Sequence, residues 1–305
     1  MKILCIGHAA YDVTFPVEEY PIENTKNRVK ARVECGGGPA SNAAYLLGKW
    51  KMDTTFAGIV GNDEYGKKIE REFQSVNVDT RYLEISNECH TTASSIIANQ
   101  QNGSRTILTY RPSEMRMHSI SLDFDPDIIL IDGQEYELSK QLLKRYPNAI
   151  SIIDAGRPTE EIIELSKMVT YVVCSKNFAE TITKVNLNYE DNQTIVNLYN
   201  KMKETFKNNI VITLEAKGCL YEYNNNIKIM PSIKVKPVDS TGAGDIFHGA
   251  FTYGIAKQIP FEKTLKIANI AGALSVTRVG GRNSIFSIEE MKEVYNEFEW
   301  GYFYW

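Results

Sequence analysis

Short apolar runs rich in β-branched residues alternate with stretches of helical spacing along most of this chain, and that rhythm restricts its fold more than any other feature. Strands are predicted at residues 2–6, 54–60, 128–131, 149–154, 171–174 and 209–214. Helices are predicted at 40–49, 65–75, 135–144, 159–168 and 195–205, with another strand-like stretch after 75. Each helix fills the interval that a crossover between parallel strands needs. The expected architecture is therefore a layered α/β fold around a mainly parallel sheet. With 305 residues, 43% of them hydrophobic, the chain can bury one large core, or form a main body with a smaller appendage.

The last quarter reads as helical. Residues 245–256 and the Ala- and Leu-rich 261–276 are predicted as close-packed helices, and 287–298 as an amphipathic surface helix. Ser287 followed by Glu290 has the form of a helix-capping pair. The aromatic terminus at 299–305 is expected to pack back on the body, with a contact to another subunit as the alternative.

Two stretches break the rhythm, at about 13–35 and 88–111. The second holds β-forming runs at 92–98 and 106–110 around a Gln-Gln-Asn-Gly-Ser turn, which predicts a hairpin. These stretches are expected as segments of a small β lid that interrupt one main α/β domain over 1–305; a plain surface hairpin is the competing reading.

Several classes are disfavoured. The 34 basic and 38 acidic residues, net charge -4, argue against broad nucleic-acid binding. No apolar run nears the roughly 20 residues that a membrane-spanning helix needs. The start, MKILCIGHAAYDV, lacks the order of a signal peptide. Cys5, Cys35, Cys89, Cys174 and Cys219 are dispersed without a CxxC, so a reducing, cytoplasmic setting is expected, with core packing rather than metal ligation.

The sharpest local signal is Asp239-Ser240-Thr241-Gly242-Ala243-Gly244-Asp245, read as lying between a strand and a helix. Its two glycines let backbone N–H groups approach an anion, and a helix start adds donors and positive potential. Asp245 at its edge could deprotonate a substrate hydroxyl during phosphoryl transfer. A plain helix cap is the other reading. The segment is neither a P-loop nor the first turn of a dinucleotide-binding fold. Near the other end, Gly36-Gly37-Gly38-Pro39-Ala40-Ser41-Asn42 again sets glycines at a strand-to-helix turn. There, backbone groups could approach a polyhydroxylated ligand, with Asn42 offering a donor and an acceptor and Asp12 accepting hydroxyl protons. A flexible turn and a routine loop aspartate are the plain alternatives.

Together these segments resemble the ribokinase-like, or PfkB-type, family of sugar and nucleoside kinases. The stretch from Asp239 to Phe251 resembles its C-terminal signature, and Gly58-Ile59-Val60-Gly61-Asn62-Asp63-Glu64-Tyr65-Gly66 its N-terminal one. Gly37 to Asn42 is similar to its sugar-contact segment in a ketohexokinase-like form. The resemblance implies a three-layer ribokinase-like fold with a β lid, ATP and Mg²⁺, and in some members a monovalent cation such as K⁺. It implies Asp245 as catalytic base and Gly242, Ala243 and Gly244 as anion hole. Asp12, Gly37, Gly38 and Asn42 would be substrate ligands, joined by Arg105, whose guanidinium fork could recognise a charged substituent or only brace the lid.

The resemblance further implies nucleotide contacts at Asn177, Thr213, Gly218 and Asn269, with Gly242 and Gly244. Glu180 would be a water-mediated Mg²⁺ partner, although Ser175 competes with Asn177 for the motif's first position. Glu215 departs from the pattern by replacing a glycine, and His248 falls at a variable position and is expected as a satisfied or surface histidine. Thr241 and the 278–281 region resemble elements near the cation site. The expected acceptor is a hexose, particularly a ketose, with ribose and then a nucleoside as alternatives. A non-enzymatic sugar- or nucleotide-binding protein is the reading from another class. A homodimer through the lid edge is a further expectation.

Overall fold

A computed structural model describes residues 1–297. In chain order the strands are β1 (Lys2–Ile6), β2 (Ala10–Val17), β3 (Val33–Gly37), β4 (Asp53–Gly61), β5 (Asp79–Ser86), β6 (Thr92–Asn99), β7 (Arg105–Tyr110), β8 (Ile128–Ile131), β9 (Ile150–Ala155), β10 (Tyr171–Ser175), β11 (Asn209–Thr213), β12 (Cys219–Tyr223) and β13 (Asn226–Met230). The helices are α1 (Pro39–Lys49), α2 (Glu64–Ser75), α3 (Tyr136–Arg145), α4 (Glu160–Ser166), α5 (Lys176–Thr183), α6 (Asn192–Thr205), α7 (Ala243–Ala256), α8 (Phe261–Ser275) and α9 (Ile288–Glu297).

The main sheet runs β13-β12-β11-β10-β9-β8-β1-β4-β5. Its strands pair in parallel from β5 to β11, and β12 and β13 close one edge antiparallel. The parallel strands are apolar on both faces, as a sheet covered twice requires. Ile3 and Cys5 of β1 pack with α1, α7 and α8, while Leu4 and Ile6 pack with α3, α5 and α6. This is the three-layer α/β architecture expected from the sequence. The antiparallel edge was not foreseen. Its turn, Asn224-Asn225, has φ of 51° and 59° at both positions, the left-handed pair that a tight hairpin requires.

The two irregular stretches contribute to a separate four-stranded sheet, ordered β3-β2-β6-β7. The hairpin forms as expected, with Ala98 opposite Arg105 and Ala93 opposite Tyr110. The sheet takes in β2 from Ala10 onward, and residues 18–32 carry no strand. At α9 the capping pair is present: Ser287 N donates to Glu290 Oε2 at 2.6 Å, and Glu290 N to Ser287 Oγ at 3.2 Å. The aromatic terminus at 299–305 lies outside the described residues.

In the main sheet the chain moves from β1 to β4 and β5 on one side, then returns to β8 on the other. The carboxyl ends of β1 and β8 thus flank a topological switch point, where open α/β sheets bind ligands. Asp132, just past β8, fastens this point. Its Oδ2 accepts from His8 N and Ala40 N at 2.8 and 3.2 Å, and its Oδ1 from Gln134 N at 2.9 Å. Burial raises the Asp132 carboxyl pKa against those donors. The starts of α1 and α7 both come to this end of the sheet.

Candidate functional site

The turn before α7 is held from within. Asp239 is buried, its Oδ1 accepting from Thr241 N at 2.9 Å and its Oδ2 from Gly280 N at 2.8 Å. Gly242 follows at φ 74° as the N-cap, a left-handed conformation suited to glycine, and no side chain caps the helix. The first N–H groups of such a helix face outward, where an anion can meet them. Around Gly244 there is open space: a side-chain carbon there would meet nothing within 4 Å. The turn does not directly follow a strand, as the sequence had led us to expect. The segment between β13 and α7 has no strand pairing; it begins at Pro231 and includes Pro237, residues that cannot donate to a ladder.

Asp245, in the first turn of α7, meets the N-terminal glycine segment. Asn42 Nδ2 donates to Asp245 Oδ2 at 2.7 Å across 203 residues of sequence. Asn42 is buried in α1, and its Oδ1 is a buried acceptor with no partner in the protein. Asp12 in β2 is 6% exposed and lies against Gly37, where any side-chain carbon would come within 2.1 Å of its Oδ2. Burial pushes the Asp12 pKa up to about 6; the Ser94 hydroxyl lowers it and the charge of Asp245 raises it further. Asp12, Gly37, Asn42, Gly242 and Asp245 thus lie close together, with Gly38 as the N-cap of α1.

The small sheet reaches the same turn. Arg105 Nη1 donates to Ser240 Oγ at 2.8 Å, and Ser240 Oγ donates to Gly103 O at 2.7 Å. The hairpin tip therefore rests on the loop that leads into Gly242.

The remaining candidates make contacts of their own. Ser175, not Asn177, caps α5, its Oγ accepting from Phe178 N at 3.1 Å; Asn177 is exposed on the helix. Glu180 Oε1 accepts from Leu187 N at 2.7 Å, with Lys176 Nζ at 3.8 Å. Thr213 Oγ1 donates to Cys174 O at 3.3 Å. Gly218 packs its backbone on Met230 O at φ 100°. Asn269 is buried and donates to Met230 O at 3.2 Å, so it braces the β12–β13 edge. Among the described residues no three His, Cys, Asp or Glu side chains group to hold a metal.

Arg282 escaped the sequence reading, and the partners of His248 were not foreseen. Arg282 is 2% exposed, pairs with Glu72 at 2.8 Å, bonds Ser41 Oγ, and stacks over Phe73 at 4.5 Å. Its only sequence signal was the Gly280-Gly281 pair before it, and arginines in loops are seldom buried. His248 is 3% exposed, with both ring nitrogens at carbonyl oxygens and Asp154 beside it.

The chain is similar over nearly its whole length to known kinases. It is 25% identical to a ribokinase of Staphylococcus aureus, over 96% of this chain and 99% of that one. It is 24% identical to a nucleoside kinase of Methanocaldococcus jannaschii, over 96% of each. A crystal structure from Agrobacterium tumefaciens, provisionally described as a ribokinase, superposes with a TM-score of 0.87 at 25% identity, over 98% of both chains. The family model described as pfkB family carbohydrate kinase matches residues 1–287, and the chain belongs to that family.

Proposed function

We propose that this protein is an ATP-dependent kinase that phosphorylates a hydroxyl of ribose or of a nucleoside's ribose. The observation that carries the reading is the Asn42–Asp245 contact at the open Gly242–Gly244 turn, which sets a carboxylate beside an anion-binding helix start. Asp245 accepts the proton of the attacking hydroxyl. The N–H groups of the turn receive charge that develops on the transferred phosphoryl group. Asp12 and the free Oδ1 of Asn42 accept hydrogen bonds from the sugar hydroxyls and orient them. Glu180 would hold Mg²⁺ through water, and the ion when bound would supply positive charge against the phosphates. The small sheet, over the segments 13–35 and 88–111, acts as a lid that excludes water, and Arg105 latches its tip to Ser240.

Relatives named as ribokinase and nucleoside kinase support a pentose or nucleoside over the hexose or ketose expected from Gly37 to Asn42. A monovalent cation such as K⁺ beside Thr241 is supported by its buried, unpartnered Oγ1. Assembly through the small sheet is supported by the exposed Leu108 and Tyr110 of its edge strand β7. Among the described residues no helix is long and apolar enough to cross a membrane.

A product-resolved ATP assay against ribose, ribonucleosides and fructose tests the acceptor. Faster turnover of fructose than of ribose and every nucleoside would reverse the ranking. Asp245→Asn is expected to lower kcat by about 10³-fold while the fold is kept; near-wild-type turnover at saturating substrate would falsify its assignment as base.

A further inference from the structure

His248 lies one turn beyond Asp245 on the buried side of α7. Its Nδ1 is 2.6 Å from Gly244 O, and its Nε2 is 3.0 Å from Val173 O in the middle of β10. A carbonyl oxygen only accepts, so both contacts are hydrogen bonds only when both ring nitrogens carry protons. A neutral ring would set a lone pair against one of the two oxygens in a place that is 3% exposed. A counter-charge is at hand: Asp154 Oδ2, at the end of β9, is 3.3 Å from Nδ1.

The other ionisable groups around the pair are Asp245 in the same helix, Asp132 past β8, and Cys174 in β10. The two carboxylates add negative potential, and burial keeps the Cys174 thiol protonated. Burial raises the Asp154 carboxyl pKa, the charge of His248 draws it back down, and Asp245 and Asp132 raise it again.

We propose that His248 is held as an imidazolium paired with Asp154, and that it is a positioning residue for the turn from Gly242 to Asp245. A peptide unit is planar. Holding the Gly244 carbonyl therefore fixes the N–H of Asp245, which points the opposite way, out of the helix start. Donation to that carbonyl also polarises the peptide and strengthens its N–H as a donor. The ring ties this peptide to two strands of the main sheet, the middle of β10 and the end of β9, so the turn is braced by the core rather than by its own loop. Its positive charge lies behind the place where phosphoryl charge would develop. That last role rests on the kinase reading; the charge state of the ring does not.

The ring can be examined without any assay of activity. Nitrogen-edited NMR of the wild-type protein at about pH 8 is expected to show both His248 nitrogens protonated, where a free histidine is neutral. A neutral tautomer there overturns the proposal. In Asp154→Asn the imidazolium loses its counter-charge and is expected to give up a ring proton at lower pH than in the wild-type protein. Its kcat should then fall as pH rises through that transition, across a range where the wild-type profile is flat. His248→Gln can donate to only one of the two carbonyls properly. It is expected to lower kcat about 30-fold with the acceptor KM within about twofold, as for a group that acts through the turn rather than on the sugar. Unchanged kcat in His248→Gln, or a flat profile in Asp154→Asn, also counts against it. If no acceptor is phosphorylated, the kinase reading fails while the NMR result still decides the charge of the ring.

Discussion

Gly36, Gly37 and Gly38 before α1 are hemmed in, whereas Gly244 at the start of α7 stands in open space. A side-chain carbon at Gly36 would come within 2.3 Å of Arg282 Nη1, at Gly37 within 2.1 Å of Asp12 Oδ2, and at Gly38 within 2.2 Å of His8 O. At Gly244 it would meet nothing within 4 Å. The same residue type thus answers two different demands. The N-terminal glycines make room for groups of the protein itself, two of them buried charges. At Gly244 no group of the protein needs the room. A glycine that packing does not require, on an uncapped helix start beside a carboxylate, marks where a ligand's phosphate would approach.

Alanine at the two ends should therefore separate folding from function. Gly38→Ala places a side chain at φ 97° against a backbone carbonyl and is expected to cost about 3 kcal/mol or more, seen as a lower denaturant midpoint. Gly244→Ala should keep or slightly raise the midpoint, because alanine is the better helix former. It should nevertheless lower kcat/KM for ATP by about 10²-fold, by filling the approach to the turn. If Gly244→Ala unfolds the protein, or leaves ATP kinetics unchanged, the contrast between the two turns fails.

That contrast was only half legible in the sequence. Both glycine segments were apparent, and so were the strands that carry them. β1 and β8 were read residue for residue, because a doubly covered strand is a short continuous apolar run with polar ends. What crowds the N-terminal glycines was hidden. Arg282 lies 210 residues from Glu72, and only the fold brings the two together under β3. His248 was expected as a satisfied or surface histidine, but two of its partners were hidden: a carbonyl oxygen and an aspartate on strands 75 and 94 residues away. The shift of emphasis from Asn177 to Ser175 at α5 follows from a cap: a serine hydroxyl that accepts from the third residue of the helix fixes where that helix begins.

The crowded end has a cost that can be titrated. Burial raises Asp12 above its ordinary value, to about 6, so the folded state binds its proton more tightly than the unfolded chain does. The stability contributed by the protonated form is fully present below pH ~4 and is lost as pH rises through about 6. At neutral pH the charged carboxylate is thus a burden that Asp12→Asn removes. The variant is expected to be about 2 kcal/mol more stable at pH 7, with the gain gone near pH 4, while its KM for the acceptor rises at least tenfold. Equal stabilisation at both pH values would show that the gain comes from packing and not from charge.

Glu215 shows a third case, in which the backbone asks for glycine and the surroundings do not. Its φ is 53° in an exposed turn, left-handed like Gly242, yet its side chain points to solvent and the neighbouring Gly218 takes the close approach to Met230 O. Strain there is about 1–2 kcal/mol for a residue with a side chain. Replacement by glycine relieves it but frees the unfolded chain, which returns about 0.5–1 kcal/mol. Glu215→Gly should therefore gain only roughly 0.5 kcal/mol in a denaturant midpoint and leave kcat within about twofold, since no role at the cleft is assigned to this carboxylate. A larger loss of ATP affinity would show that Glu215 faces the nucleotide, and would extend the ligand-approached surface from Gly244 to the end of β11.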